Sequence, residues 1–281
     1  MLPQILQRLG QADREIALLT ATTGAEAEAA CREAVAGGAA ALVAVGGDGT
    51  QHAALQAVAG TEVPYAVIPA GTGNDFAIAI GMPDDPLRAA EVVAAALGEG
   101  RTRRFDLARV TGAGGGQRWY GAVLAAGFDA IVNERGNRMR WPRGDSRYDL
   151  AIFLELVRLR PRRYRIGLDG EQVEVDAVLV AVGNTAHYGG GIRICPAADP
   201  TDGQLDVVIG RRMGRVTLTR LRPHAYRGTH VHHRLVDSYR AREVVLELVD
   251  DEVIGYADGE RCLPLPVTIT CVPGALTALS S

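Results

Sequence analysis

A chain of 281 residues, 47% of them apolar, with a net charge of -3, can build one large or two modest folded units, and nothing in that balance marks a general nucleic-acid binder. All thirty basic residues are arginine, which excludes a P-loop lysine and a Schiff-base lysine. Cys31, Cys195, Cys262 and Cys271 lack CxxC spacing, the start lacks signal-peptide order, and no apolar run is long enough to span a membrane; a reduced, cytoplasmic protein is expected.

In chain order, Leu2 to Leu9 reads as a helix and Glu15 to Thr20 as a strand. Ala25 to Ala36 is an alanine-rich helix, Ala41 to Val45 a buried strand, Thr50 to Ala59 a helix and Tyr65 to Ile68 another buried strand. Asn74 to Ile80 and Pro86 to Leu97 read as helices, the second entered through Asp84-Asp85-Pro86. Strand–helix alternation predicts a parallel sheet covered by helices. Beyond about Gly100 the pattern becomes strands: Phe105 to Val110, Arg118 to Ala125, Tyr164 to Leu168, Val173 to Val182, Leu205 to Ile209, Glu243 to Val249 and Val267 to Cys271. Several alternate in hydrophobicity, and turns such as Asp169-Gly170 separate them, which predicts a mostly antiparallel sandwich interrupted by a helix at Tyr148 to Leu159.

Two glycine-rich turns, Gly46-Gly47-Asp48-Gly49-Thr50 and Pro69-Ala70-Gly71-Thr72-Gly73-Asn74-Asp75, each follow a short apolar run and precede a helical stretch. Glycine lets the backbone approach an anion, and the N–H groups of a helix start carry partial positive charge, so the pair predicts a nucleotide-phosphate cradle. Thr50 and Thr72 add hydroxyl donors. Asp48 is open to two readings, a cation ligand or the cap of the helix that follows. Asp202-Gly203 is likewise a plain turn or part of a hard-cation site, and Tyr256-Ala257-Asp258-Gly259-Glu260 is a hairpin turn or the carrier of a general base.

Ten arginines between Arg135 and Arg165 face three acids of the same segment, with Trp141, Tyr148 and Phe153 interleaved. An anionic membrane surface, a solvated face and an RNA contact are the three readings of that segment. His224, His230, His232 and His233 cluster without acidic or cysteine partners at metal-ligand spacing.

The glycine turns, the Gly189 to Asp206 stretch and the Asp258-Gly259-Glu260 turn occur in an order that resembles the diacylglycerol kinase catalytic-domain family, which includes bacterial soluble lipid kinases and sphingosine kinases. The likeness runs from about Thr20 to the C-terminus; Gly127-Phe128-Asp129-Ala130 and Asn184 look like further family positions. It implies an α/β ATP-binding domain with a parallel sheet at 1–98 plus a C-terminal return at 273–281, and a mostly antiparallel β-sandwich lipid-substrate domain at 99–272. It implies transfer of the ATP γ-phosphate to a lipid hydroxyl, that of diacylglycerol or a related lipid. Thr20, Gly46, Gly47, Asp48, Gly49, Thr50, Gln51, His52, Gly71, Thr72, Gly73 and Asn74 would bind ATP, and Glu260 would accept the proton. Asp202 with the carbonyls of Asp199 and Gln204 would hold a structural Mg²⁺, and Asp48 would act near a catalytic one. The enzyme would work peripherally at the inner membrane face, without nucleic acid, and as a homodimer.

Two departures stand out. The family's leading strand and Asn-Pro-type loop are missing ahead of Leu2 to Leu9, so the true start is expected upstream, and Ala53 replaces a carboxylate that bears on metal handling. An NAD kinase, which shares the first glycine turn, and a non-catalytic nucleotide- or lipid-binding relative are the alternatives.

Overall fold

The computed structural model describes residues 1–10, 15–139, 141, 146–249 and 251–280. They form two units, Met1–Leu107 with Pro200–Gly203 and Val272–Ser281, and Ala108–Asp199 with Gln204–Cys271.

The first unit holds α1 (Leu2–Leu9), α2 (Gly24–Ala36), β1 (Leu42–Gly46), α3 (Asp48–Val58), β2 (Tyr65–Pro69), α4 (Asp75–Ala79), α5 (Pro86–Glu99) and the start of β3 (Thr102–Gly112). Local chemistry sets the helix limits. Thr23 Oγ1 accepts from Glu26 N, while the Glu26 carboxylate takes the Thr22 amide and hydroxyl, so α2 begins there. Asp85 accepts from Leu87 N and Arg88 N, Pro86 fills the first turn of α5, and left-handed Gly100 ends it. β1 and β2 pair in parallel from Leu42↔Tyr65 to Gly46↔Pro69, joined by α3. β2 is buried along its whole length, as a strand covered on both faces must be. Leu55 and Val58 of α3 and Ala89, Ala90 and Val93 of α5 are fully buried.

Glu15 to Thr20 is not a strand. It is exposed along its length, with Ile16, Leu18 and Leu19 at 41%, 55% and 41%. A strand exists through its ladder, and this apolar stretch has no ladder partner among the described residues.

The second unit holds β4 (Gln117–Tyr120), β5 (Val123–Gly127), α6 (Phe128–Arg138), α7 (Ser146–Val157), β6 (Arg162–Leu168), β7 (Glu171–Gly183), β8 (Leu205–Arg211), α8 (Arg215–Arg227), β9 (Val236–Ala241), β10 (Glu243–Leu248), β11 (Ile254–Ala257), β12 (Glu260–Pro264) and the first part of β13 (Val267–Leu279). Its strands pair antiparallel, in the order β10-β6-β7-β5-β11-β12, with β8 and β9 added beside β7. The period-2 pattern feeds two cores. Leu205, Val207 and Ile209 of β8 enter one with Val180 and Val182 of β7 and Tyr164 and Ile166 of β6. Val208, one residue out of phase, enters another with Val178, Leu179, Ala181 and Met213.

Arg118 to Ala125, expected as one strand, is two. The break falls at Gly121-Ala122, whose amides donate to the Asp258 carboxylate and whose carbonyls take Asn184 Nδ2 and Asn184 N. Bonds to Asp258 and Asn184 thus replace the ladder there. β9, β11 and β12, the helices α6 and α8, and the continuation of β13 to Leu279 went unread in the sequence.

Asp106, buried in β3, secures the first unit's distant pieces. Its oxygens accept from Gly203 N at 2.7 Å and Gly274 N at 2.8 Å, and its own amide donates to Pro200 O at 2.7 Å. Asp106→Ala strands two amides and should cost ~2–5 kcal/mol of stability in urea unfolding. A loss below ~1 kcal/mol would contradict this clamp.

Candidate active site

Within the first unit the two glycine turns meet. A Cβ on Gly71 would lie 2.4 Å from Gly47 Cα, and one on Gly73 would lie 2.4 Å from Asp48 Oδ2. Side chains at these positions would force the turns apart. Asp48 locks them together: Oδ2 accepts from Asn74 N and Oδ1 from Asp75 N, both at 3.1 Å. Asp48 therefore stands at the start of α3 but binds the amides that open α4. No side chain caps α3, whose N-cap position is Gly47. Asn74, left-handed at φ 56°, folds its own turn, with Oδ1 accepting from Gly71 N and Nδ2 donating to Gly71 O.

The amides of Gly47, Thr72 and Gly73 donate to nothing among the described residues. Gln51 in the first turns of α3 is 1% exposed, and neither polar atom of its amide has a partner among them. Buried amides are normally satisfied, so this one is short of a polar group. A hollow of about 1450 Å³ in the same unit is bordered by Thr20, Gly46, Thr50 and Ala70. Apolar side chains, among them Leu6, Leu9, Val43 and Val45, line much of the rest. Thr20 itself is exposed, and the His52 side chain is buried.

The predicted cation ligands lie on one continuous stretch, with Asp202 in the first unit and Asp199 and Gln204 in the second. Asp106 fixes the Asp202 turn through the neighbouring Gly203 amide. Among the described residues no group of three or more histidines, cysteines, aspartates or glutamates is placed to hold a metal. The histidine cluster accordingly forms no such site. His230 is buried with Nε2 against Ile194 O, and burial pushes its pKa down.

In the second unit, Glu260 opens β12 directly after a two-residue turn. Asp258 and Gly259 both have positive φ, 53° and 80°, and Ala257 pairs with Glu260 across the turn, the geometry of a tight hairpin. Two anchors hold it. Asp258 accepts from Gly121 N at 3.0 Å and Ala122 N at 2.8 Å. On α6, Glu134 accepts from Tyr256 Oη and from Arg261 Nε, and those two residues are register partners across the hairpin. Arg138 completes the cluster. The Tyr256 hydrogen bond, aided by both guanidiniums, holds the Glu134 carboxyl below its usual range; burial, with Glu134 beside it, pushes Tyr256 up to about 12. Glu260 is exposed at the tip of this braced hairpin.

Several arginines between Arg135 and Arg165 find acids from outside that segment. Arg160 and Arg162 pair with Asp251, Arg163 with Asp176, and Arg165 with Glu174 and Glu247. Arg135 pairs with Glu155 and Arg138 with Glu134. Arg140 and Arg143 lie outside the described residues.

Residues 1–110 match the family model for the diacylglycerol kinase catalytic domain, and residues 122–280 match that for the YegS C-terminal NAD kinase beta sandwich-like domain. A diacylglycerol kinase of Mycobacterium tuberculosis is 42% identical over 88% of this chain and 78% of its own length. The chain belongs to the diacylglycerol kinase catalytic-domain family. It is therefore a phosphotransferase of the lipid kinase kind, and the NAD kinase alternative falls away. A probable lipid kinase YegS-like protein of Stenotrophomonas maltophilia is 33% identical over 89% of the chain and 81% of its own length. Solved diacylglycerol kinase chains from Bacillus anthracis str. Sterne share the fold, with TM-scores of 0.78 and 0.71 at 24% and 22% identity, covering 100% of this chain and 91% and 92% of theirs. The α/β first part and antiparallel second part agree with that fold. No helix among the described residues is long and apolar enough to cross a membrane.

Sequence reasoning passed over Asp106, Glu134 and the partner of Asp129. Asp129, in the first turn of α6, accepts from the Tyr188 hydroxyl. It keeps some open surface, yet protein crowds it enough that lost hydration raises its carboxyl to about 6. The unfolded chain releases this proton first, so the carboxylate lowers stability as pH rises from about 4 to about 6. Asp129→Asn keeps an acceptor for Tyr188 without the charge. Its melting temperature should pull ahead of the native chain's across that window and stay level above it; a gap that does not change with pH would contradict this environment.

Proposed function

We propose that this enzyme transfers the γ-phosphate of ATP to the hydroxyl of a bilayer lipid, diacylglycerol being the first acceptor to test, while resting on the inner face of the membrane. The joined glycine turns carry the reading. Their free amides at Gly47, Thr72 and Gly73, with the Thr50 and Thr72 hydroxyls, offer what a polyphosphate needs. The unpartnered Gln51 amide supports a polar occupant nearby. The relatives named diacylglycerol kinase and lipid kinase support the acceptor class.

Phosphoryl transfer asks for positioning and charge stabilisation more than covalent chemistry. Gly46, Gly47, Gly49, Gly71 and Gly73 let the main chain close on the phosphates; Thr20 and His52 stand beside them. Glu260, on its braced hairpin, takes the lipid hydroxyl proton, a role worth about 10²–10⁴-fold in rate. Mg²⁺, when bound, offsets phosphate charge. Asp48 would face it near the phosphates, and Asp202 with the Asp199 and Gln204 carbonyls would supply the oxygen donors a hard cation takes.

Radiolabelled ATP with diacylglycerol micelles should yield labelled phospholipid. Glu260→Gln should lower turnover by about 10²-fold or more while ATP affinity stays unchanged. Full turnover in Glu260→Gln would sink the base assignment, and no labelled lipid from the native chain would sink the reaction.

A further inference from the structure

Between Val207 and Val236 the chain has seven arginines and no aspartate or glutamate. Since the whole chain nets -3, the remainder carries -10, and this segment, unlike the one from Arg135 to Arg165, has no acid of its own. α8 lies at its centre and has no buried residue. Leu218 and Leu221 pack partly buried against the second core of the β unit. Val216, Arg220, Pro223 and Arg227 recur at helical spacing on the opposite side and are exposed. Val216 and Tyr226 are 63% and 43% exposed, apolar and aromatic side chains on an otherwise polar helix surface.

The two basic segments of the protein differ in one respect. Arg160, Arg162, Arg163 and Arg165 have their charges matched by Asp251 and by acids of neighbouring strands. Arg215, Arg220, Arg222 and Arg227 have no ion pair among the described residues, and Arg211, just ahead of the helix, pairs with Asp237. Unmatched charge is available to a partner; matched charge is largely spent.

We infer that the outward face of α8 docks on an anionic lipid surface, with its arginines among the phosphate headgroups and Val216 and Tyr226 at the acyl boundary. The inference rests on the reading that the acceptor is a bilayer lipid. An amphipathic basic helix with exposed apolar side chains fits the headgroup region, where both kinds of group find a place. The acidic remainder of the chain disfavours wrapping by a long polyanion such as RNA.

The test is sedimentation of the full chain with phosphatidylcholine vesicles, with and without phosphatidylglycerol. The native chain should bind only the anionic vesicles, and less so at high salt. Each arginine at such a surface is worth about fivefold in partitioning, so Arg220→Gln/Arg222→Gln/Arg227→Gln should bind at least about tenfold more weakly. The charge-matched control Arg160→Gln/Arg163→Gln/Arg165→Gln should bind nearly as the native chain does. Phosphorylation of lipid in neutral detergent micelles should survive the α8 changes, which also reports that the variant is folded. Native-like vesicle binding by the α8 variant, or equal loss in the control, would overturn the inference. So would α8-dependent binding to single-stranded RNA tighter than to the vesicles. Absence of micellar phosphorylation by the native chain would instead overturn the proposed reaction and leave the vesicle result standing by itself.

Discussion

The proposed phosphate cradle depends on one carboxylate. Asp48 takes the Asn74 and Asp75 amides, and this brings a turn after β1 into backbone contact with a turn after β2. A carboxylate beside a polyphosphate ought to repel it. Here both carboxylate oxygens are turned toward N–H dipoles, which offset part of the charge it presents elsewhere. Three other amides remain free to face an anion. Glycine at Gly47, Gly71 and Gly73 is then a steric necessity, because the turns touch where a Cβ would project.

The same device recurs through the molecule. Asp106 accepts from Gly203 N and Gly274 N, Asp169 from Arg242 N and Glu243 N, and Asp258 from Gly121 N and Ala122 N. Each aspartate closes on main-chain amides far away in sequence, at a turn, a strand end or a point within a strand. Charge-assisted bonds to amides are among the stronger ones a protein makes. Loops thereby gain the order that strands have from pairing. Glu260 benefits directly, since its turn is fixed by Asp258 on one side and by the Glu134 cluster on the other.

Much of the architecture was legible because it is local. Strands buried on both faces read as short apolar runs, as at Tyr65 to Ile68, and helices announced themselves through caps such as Asp85-Pro86. The glycine turns were legible because only glycine lets two turns approach this closely. The exceptions depend on residues far away. Glu15 to Thr20 looks like a strand in isolation and lacks a neighbour to pair with. The Arg160 to Arg165 run looks unmatched until β7, β10 and Asp251 supply the acids. The contact between Asp48 and the second turn spans 26 residues, and the Asp106 clamp spans 97 and 168, so neither leaves a local signature. α8 was passed over for the opposite reason: its weak apolar stripe resembles a loop until the core beneath it is known.

The decisive measurement is amide hydrogen exchange on the native chain and on Asp48→Asn, paired with titration of a non-hydrolysable ATP analogue. The clamp predicts that Asn74 and Asp75 amides exchange at least about tenfold faster in the variant, and that nucleotide affinity falls with them while the β7 core stays protected. Unchanged protection at Asn74 and Asp75 together with native affinity would mean that the turns are held, and the nucleotide gripped, by something other than Asp48.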